Sequence, residues 1–285
     1  PGSCSCAVCR RNLALALGLG VSAAVGWRAF GPGQEGSWAA RWPRWYLAGF
    51  ARQMRNGMAD FEVWLAPRKE ALFREGVSDL QPVASGGGGG LRALELGMGA
   101  GTNFRYLRAA GVNELTAVEP NPEFADMALA RAAEEGLQLT VHDGVAENLR
   151  MLPDNSVDLV VATMVLCSVD SQRKAIEEVH RCLRPGGRYL FMEHVHADVE
   201  RQWGLRQLQG MLNSLQQMSS AGCRLANEPL PVISSVFGAG NVRSEAFSAD
   251  EGHVGPRGPL GVQLPPPHFL LAPHVMGVAT KSYGA

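Results

Sequence analysis

A chain of 285 residues with 46% hydrophobic side chains is long and apolar enough to bury one substantial core, which excludes disorder throughout. Its 26 basic and 27 acidic residues leave a formal charge of -1, without the clustered basic excess of nucleic-acid binders, so no nucleic-acid partner is expected. Cys4, Cys6 and Cys9 crowd one end while Cys167, Cys182 and Cys223 are scattered, a pattern that fits a reducing compartment better than a secreted disulfide scaffold.

Residues 1–34 hold no acidic side chain, carry Arg10 and Arg11, and run on as NLALALGLGVSAAVGW. Basic then apolar is the layout of a targeting or anchor segment, assigned to residues 1–35. The run is shorter than the ~20 apolar residues of a comfortable spanning helix, so a cleaved leader and a short membrane anchor both stay open. The C-x-C-x-x-C cysteines have neither a fourth ligand nor a nearby histidine, and no metal is expected there.

Residues 36–85 read as an aromatic and basic helical extension. Trp38, Trp42, Trp45, Tyr46 and Phe50 interleave with Arg41, Arg44, Arg52 and Arg55, a stretch suited to a membrane interface or to packing on the main domain. Phe61, Trp64, Leu65, Leu72 and Phe73 recur at helical spacing, which predicts a core-packed helix over 58–75. SGGGGG at 85–90 is a hinge into the main domain, 86–285.

From there the pattern alternates. Strands are predicted over 91–96, 115–119, 137–142, 156–166 and 188–195, with helices over 102–110, 122–135 and 171–183. Such alternation means a parallel sheet covered on both faces, with a ligand crevice at the carboxyl ends of its strands. After the first strand comes LELGMGAGTNFRYL, with glycines at Gly97, Gly99 and Gly101. A dinucleotide fingerprint requires glycine or alanine where Thr102 stands, so a nicotinamide cofactor is the weaker fit. Glu119, ending the second strand, is placed to accept hydrogen bonds from paired ribose hydroxyls.

The segments LELGMGAGTNF, VEPNP, VLCSV, EVHRCLRPGGRYLFMEHV and PHVMGVATK resemble class I S-adenosylmethionine-dependent methyltransferases. More narrowly they are similar to the methyltransferase-like thiol methyltransferases of endoplasmic reticulum and lipid droplets and to their plant plastid relatives. The glycine turn and LRPGG are shared with the wider UbiE-like, quinone-methylating group. The resemblance implies a Rossmann-like three-layer α/β sandwich with a seven-stranded, mostly parallel sheet whose last strand is antiparallel. It implies S-adenosylmethionine as cofactor. Glu95 then meets its amino group, Gly97, Gly99 and Gly101 its methionine and ribose portions, and Glu119 the ribose hydroxyls. Asn103 joins this set. Asn121, with Ala146 and Glu147, borders the adenine. Val145 stands where relatives usually carry an acid, leaving that contact to backbone or to Asp143. Met164, Val165 and Leu166 line the sulfonium side.

His194 is the candidate catalytic residue, positioning a substrate or accepting a proton, and a purely structural histidine is the alternative. Cys167 faces the crevice as either a small buried hydrophobe or a reactive thiol. Cys223 falls in the substrate-lid region, where Trp203, Leu208, Met211 and Leu215 are expected to form an apolar acceptor pocket. Residues 255–268 are a proline-rich loop insertion with His268 on the surface. The absence of an N-P-P-[YF] element argues against base methylation, and no Ser-His-Asp set, zinc motif or phosphate-cradling loop is present.

The expected activity is methyl transfer to a small lipophilic acceptor, a thiol. The alternatives are C- or O-methylation of a quinol or phenol, and a non-catalytic binding protein docked on a membrane or lipid body. The expected molecule is a monomer with peripheral membrane or lipid-body association, in the plastid by resemblance or otherwise at the endoplasmic reticulum or lipid droplet.

Overall fold

The computed structural model describes residues 38–57, 59–82, 90–251 and 268–283. The targeting segment, Cys4, Cys6 and Cys9, most of the glycine hinge, and the proline-rich stretch short of His268 lie outside the described residues.

A seven-stranded sheet organises the chain: β1 (Leu91–Leu96), β2 (Val112–Val118), β3 (Gln138–His142), β4 (Val157–Thr163), β5 (Leu183–His194), β6 (Val242–Ser248) and β7 (Pro273–Thr280). Their spatial order is β3-β2-β1-β4-β5-β7-β6. β1 pairs in parallel with β2 on one side and β4 on the other, so strand order reverses there and a crevice opens beyond Leu96 and Val118. β7 is the antiparallel strand, inserted between β5 and β6 with His274 opposite His194.

The strands carry apolar side chains on both faces because helices cover both. On one face Leu159, Val161 and Leu190 pack against α2 (Ala59–Val77), α3 (Phe104–Ala109) and α4 (Ala125–Glu135), through Phe61, Leu65, Phe73, Leu107 and Ala128. On the other, Val160, Ala162 and Phe191 pack against α5 (Gln172–Cys182) and α7 (Leu230–Phe237), through Ile176, Val179, Ile233 and Phe237. This is the expected three-layer sandwich.

Element ends differ from the sequence expectation where the backbone turns early. β4 was expected to reach residue 166 but stops at Thr163, because Met164 takes a left-handed φ of 56° and the next residues form a turn. α3 is only six residues long, since positions 101–103 are spent on the glycine turn. β5 begins at Leu183 and absorbs the RPGG segment.

The aromatic extension packs on the domain. A 3-10 turn (Trp38–Arg41) leads to α1 (Arg44–Gly57). Positions 42, 46 and 50 share one side, so Trp42 stacks on Tyr46 at 4.7 Å, Tyr46 on Phe50 at 6.2 Å, and Phe50 meets the edge of Phe124 at 6.4 Å. The Tyr46 hydroxyl accepts from the Ala221 N–H at 2.7 Å, and Asn121 Nδ2 donates to the Leu47 carbonyl at 3.3 Å. Trp45, Arg44, Arg52 and Arg55 occupy the exposed face. No helix among the described residues is long and apolar enough to cross a membrane.

Candidate active site

The crevice begins at the turn after β1. Gly97 and Gly99 hold φ of 59° and 51°, the left-handed region that favours glycine. A Cβ at Gly97 would meet Val165 Cγ2 at 2.7 Å, whereas one at Gly99 would meet nothing within 4 Å and would occupy the cleft. Gly101 differs: a Cβ there would strike the Phe104 ring at 2.6 Å, so this glycine serves the packing of α3.

Glu119 clasps the turn from the end of β2. Its Oε2 accepts from the Gly99 N–H at 3.0 Å and its Oε1 from the Asn121 N–H at 2.9 Å. Burial pushes its carboxyl up to about 7, against these two hydrogen bonds. Glu95 lies behind the turn. Its Oε1 accepts from Asn103 Nδ2 at 2.8 Å, the same nitrogen reaches Thr163 Oγ1 at 2.9 Å, and its buried Oε2 has no hydrogen-bond partner among the described residues. Burial pushes Glu95 up to about 8, opposed by the Asn103 hydrogen bond and the nearby Lys69 ammonium.

A cleft of about 590 Å³ is lined by Gly97, Gly99, Glu119, Asn121, Ala146, Glu147 and Met164, all singled out in the sequence, together with Val165 and Thr163. Glu95, Gly101, Asn103 and Leu166 are not in the wall. Leu166 is a core residue whose N–H donates to Glu193 Oε1 at 3.0 Å, as does that of Val165 at 2.9 Å. Asp143 is exposed and outside the wall, while Glu147 lines it and accepts from the Ser171 N–H at 3.0 Å.

The cleft also has a roof, which was not legible in the sequence. Trp38, Phe50 and Met54 of the extension line the same cleft. The extension is clasped across it by Arg41, which donates to both carboxylate oxygens of Asp170 at 2.8 and 2.6 Å. The only signal for this was the helical recurrence of aromatics, which a membrane interface produces equally well.

The apolar lid expected at Trp203, Leu208, Met211 and Leu215 does not form over the cleft. These residues lie on α6 (Trp203–Ser219) and none lines the cleft; Met211 is 80% exposed and Leu208 packs on the core. The helix turns Leu205 and Gln209 inward instead, with Gln209 Nε2 donating to the Leu270 carbonyl at 2.8 Å. His268 is likewise half-buried, its ring 5.6 Å from that of Phe61, and not a surface residue.

His194 is buried and outside the cleft wall, its Nε2 3.3 Å from the Cys223 sulfur. Cys167 completes a group of three, its sulfur 3.4 Å from the hydroxyl of Ser168, which does line the cleft. Hydrogen bonding to Cys223 and burial hold the Cys167 thiol well above its ordinary value, and the same contact lowers Cys223.

The family model of a methyltransferase domain matches residues 94–191, from β1 through most of β5. Thiol S-methyltransferase TMT1A of Homo sapiens is 34% identical over 219 residues, covering 76% of this chain and 80% of that protein. Thiol S-methyltransferase TMT1B of Mus musculus is 34% identical over 218 residues, covering 75% and 78%. Among solved structures, the N-methyltransferase NodS of Bradyrhizobium japonicum, in complex with S-adenosyl-L-homocysteine, superposes with a TM-score of 0.54 at 17% identity, covering 84% of this chain and 99% of that one. YcgJ of Bacillus subtilis superposes with a TM-score of 0.52 at 18% identity, covering 75% and 99%. Sequence relatives and fold agree: the chain belongs to the class I S-adenosylmethionine-dependent methyltransferases, is related to the thiol S-methyltransferases among them, and uses S-adenosylmethionine as its cofactor.

Proposed function

We propose that the enzyme methylates the sulfur of a small lipophilic thiol. The observation that carries this reading is the scarcity of free bases in the cleft wall. Among the described residues that line it there is no histidine, lysine or tyrosine, and its carboxylates are engaged by neighbours, apart from the exposed Glu134. Glu119 is held by Gly99 and Asn121, Glu147 by Ser171, Asp170 by Arg41 and Glu62 by Lys69. A thiol with a pKa of about 8.5 is a few per cent ionised at neutral pH and brings its own nucleophile, whereas carbon or phenolic oxygen acceptors require a base. The likeness to human Thiol S-methyltransferase TMT1A supports the same acceptor.

The residues present fit the cofactor. Glu95 offers a buried, unpartnered oxygen to an ammonium, and the Gly99 turn leaves open the space a side chain would fill. When bound, S-adenosylmethionine supplies an electrophilic methyl group on a sulfonium. Asn103 orients Glu95 from behind, and Gly101 seats α3 so that the turn keeps its shape. Glu119 keeps lone pairs free for ribose hydroxyls beyond its two backbone contacts. Asn121, Ala146 and Glu147 would border its adenine. Met164 would lie on the sulfonium side, and Leu166 anchors the turn that carries it. Aligning acceptor and methyl carbon supplies about 7–11 kcal/mol of the barrier. His194, outside the wall, acts on the acceptor through its cysteine neighbours and is a positioning residue.

A methyl-transfer assay on a thiol, a phenol and a quinol of similar shape tests this. The thiol is expected to turn over, at a subsaturating rate that rises with pH toward the acceptor's own pKa. Faster quinol methylation overturns the reading. The acid-free leader supports a further expectation, that a monomeric enzyme is tethered to an organelle membrane, the plastid before the endoplasmic reticulum or lipid droplet. Removing residues 1–35 should then move it to the soluble fraction, and a full chain already found there sinks the idea.

A further inference from the structure

The turn after β4, the end of β5 and the loop after α6 converge on Cys167, His194 and Cys223. Two thiol sulfurs and one imidazole nitrogen lie within 4.8 Å of one another, with His194 Nε2 3.3 Å from the Cys223 sulfur. Cys167 and His194 are buried and Cys223 half-buried, and all three belong to a chain whose described cysteines are free. Among the described residues no other three such side chains bring ligand atoms together. Around a tetrahedral zinc ion, metal–sulfur distances of about 2.3 Å and metal–nitrogen distances of about 2.0–2.1 Å set ligand atoms roughly 3.5–3.8 Å apart. The three side chains therefore need inward shifts of no more than about 1 Å to reach that geometry.

We propose that Cys167, His194 and Cys223 form a binding site for one zinc ion, or a cation of the same borderline-soft class, with its fourth position open. Two thiolates and an imidazole select such a cation over magnesium or calcium, and three protein ligands with a vacant place are the pattern of a catalytic rather than a structural zinc. Two thiolates neutralise the ion. The surroundings support the sulfurs: Gln216 Nε2 lies 3.8 Å from Cys223, and the hydroxyl of Ser168 3.4 Å from Cys167. The buried Glu193, next to His194, keeps one carboxylate oxygen without a partner among the described residues.

The site also has a place in the reaction. Ser168, adjacent to Cys167, and Ala221, two residues before Cys223, line the cofactor cleft, so the group lies directly behind that part of its wall. This second step rests on the thiol reading given above. The acceptor's S–H proton leaves to solvent as its sulfur takes the open position. A lone pair of that sulfur then forms the new S–CH3 bond while the old methyl–sulfonium bond breaks, its electron pair staying on the cofactor sulfur. Thiol and S-adenosylmethionine thus give a methyl thioether, S-adenosylhomocysteine and one proton, and the neutral thioether is the weaker ligand.

The full chain, kept reduced with a phosphine, is loaded with zinc or cobalt(II), dialysed and assayed for bound metal. About one ion per chain is expected, with loss of most of it in His194→Ala and Cys223→Ser, whose calorimetric affinity for S-adenosylmethionine shows that they fold. Wild-type protein that retains less than roughly a tenth of an equivalent overturns the site, as does metal that both variants keep. Should the variants not fold, the cobalt-loaded wild type decides: thiolate-to-cobalt charge-transfer bands support the site and their absence overturns it. Adding a small lipophilic thiol should shift those bands. An unshifted spectrum overturns acceptor coordination while the metal site stands, and the methyl-transfer assay separately reads whether a thiol is the acceptor.

Discussion

Gly99 and Gly111 separate two effects that substitution at a glycine turn usually confounds. Both hold a left-handed φ, of 51° and 85°, and an added Cβ at either meets nothing within 4 Å. Alanine at either position costs about 1 kcal/mol of stability through backbone strain. Only Gly99 faces the cleft, so Gly99→Ala is expected to weaken cofactor binding at least about tenfold and Gly99→Val to abolish it, while Gly111→Ala leaves affinity unchanged. Calorimetric titration beside chemical denaturation reads both quantities, and equal affinities in the two alanine variants would defeat the assignment. Glu95 yields a pH prediction. Below its ordinary 4.5 the carboxyl is protonated in folded and unfolded chains alike, and its stabilising contribution is lost as pH rises through about 8. A cofactor ammonium beside it favours the charged form, so binding near pH 7 should expel a proton and tighten as pH rises from 6 to 8. Titrations in buffers of different ionisation enthalpy measure that proton, and Glu95→Gln should abolish its release. That Gly97, Gly99 and Glu119 meet at one cleft was legible because each sits at the end of its own strand. That Leu166 and His194 stand behind the wall was not, since neighbouring positions at a strand end differ only in which way a later turn points them.

Among elements, α1 carries the roof and its aromatic face is the handle for testing it. Tyr46→Phe removes the acceptor of the Ala221 N–H and should cost about 1 kcal/mol. Phe50→Ala empties the stack between Tyr46 and Phe124 and should speed cofactor dissociation in stopped-flow measurements, with the association rate little changed. Unaltered dissociation would show that the stack does not retain the ligand. Strand β6 and helix α7 were not anticipated, whereas β1–β5 and α2–α5 were readable from the sequence pattern, α5 with the strongest helical period. The end of β4 was not: apolar residues run on through Leu166, but Glu193 captures the Val165 and Leu166 N–H groups and turns the chain. α6 shows the same limit, since Trp203, Met211 and Leu215 match the helical period of a buried stripe yet face solvent.

At the scale of the whole molecule, alternation of strands and helices was enough to read a parallel sheet covered on both faces. It does not encode strand order. The largely apolar PHVMGVAT of β7 reads like any central strand, and its antiparallel insertion between β5 and β6 comes from pairing partners remote in sequence. The extension and the sheet are tied across the cleft by the Arg41–Asp170 pair and by Asn121 to the Leu47 carbonyl. Removing residues 1–35 should therefore leave cofactor affinity intact, whereas removing residues 1–57 should lower it severalfold, both read by titration of purified protein. Loss of affinity from the shorter deletion would place part of the binding surface upstream of the roof. The same ties have a mechanical consequence. The turn Trp38–Arg41 opens the described part of the extension, and its last residue, Arg41, latches onto Asp170 in the cleft wall. A pull applied at Trp38 meets the Arg41–Asp170 latch before it loads any strand of the sheet. Traction there opens the roof of the cleft first and leaves the sheet beneath it unstrained.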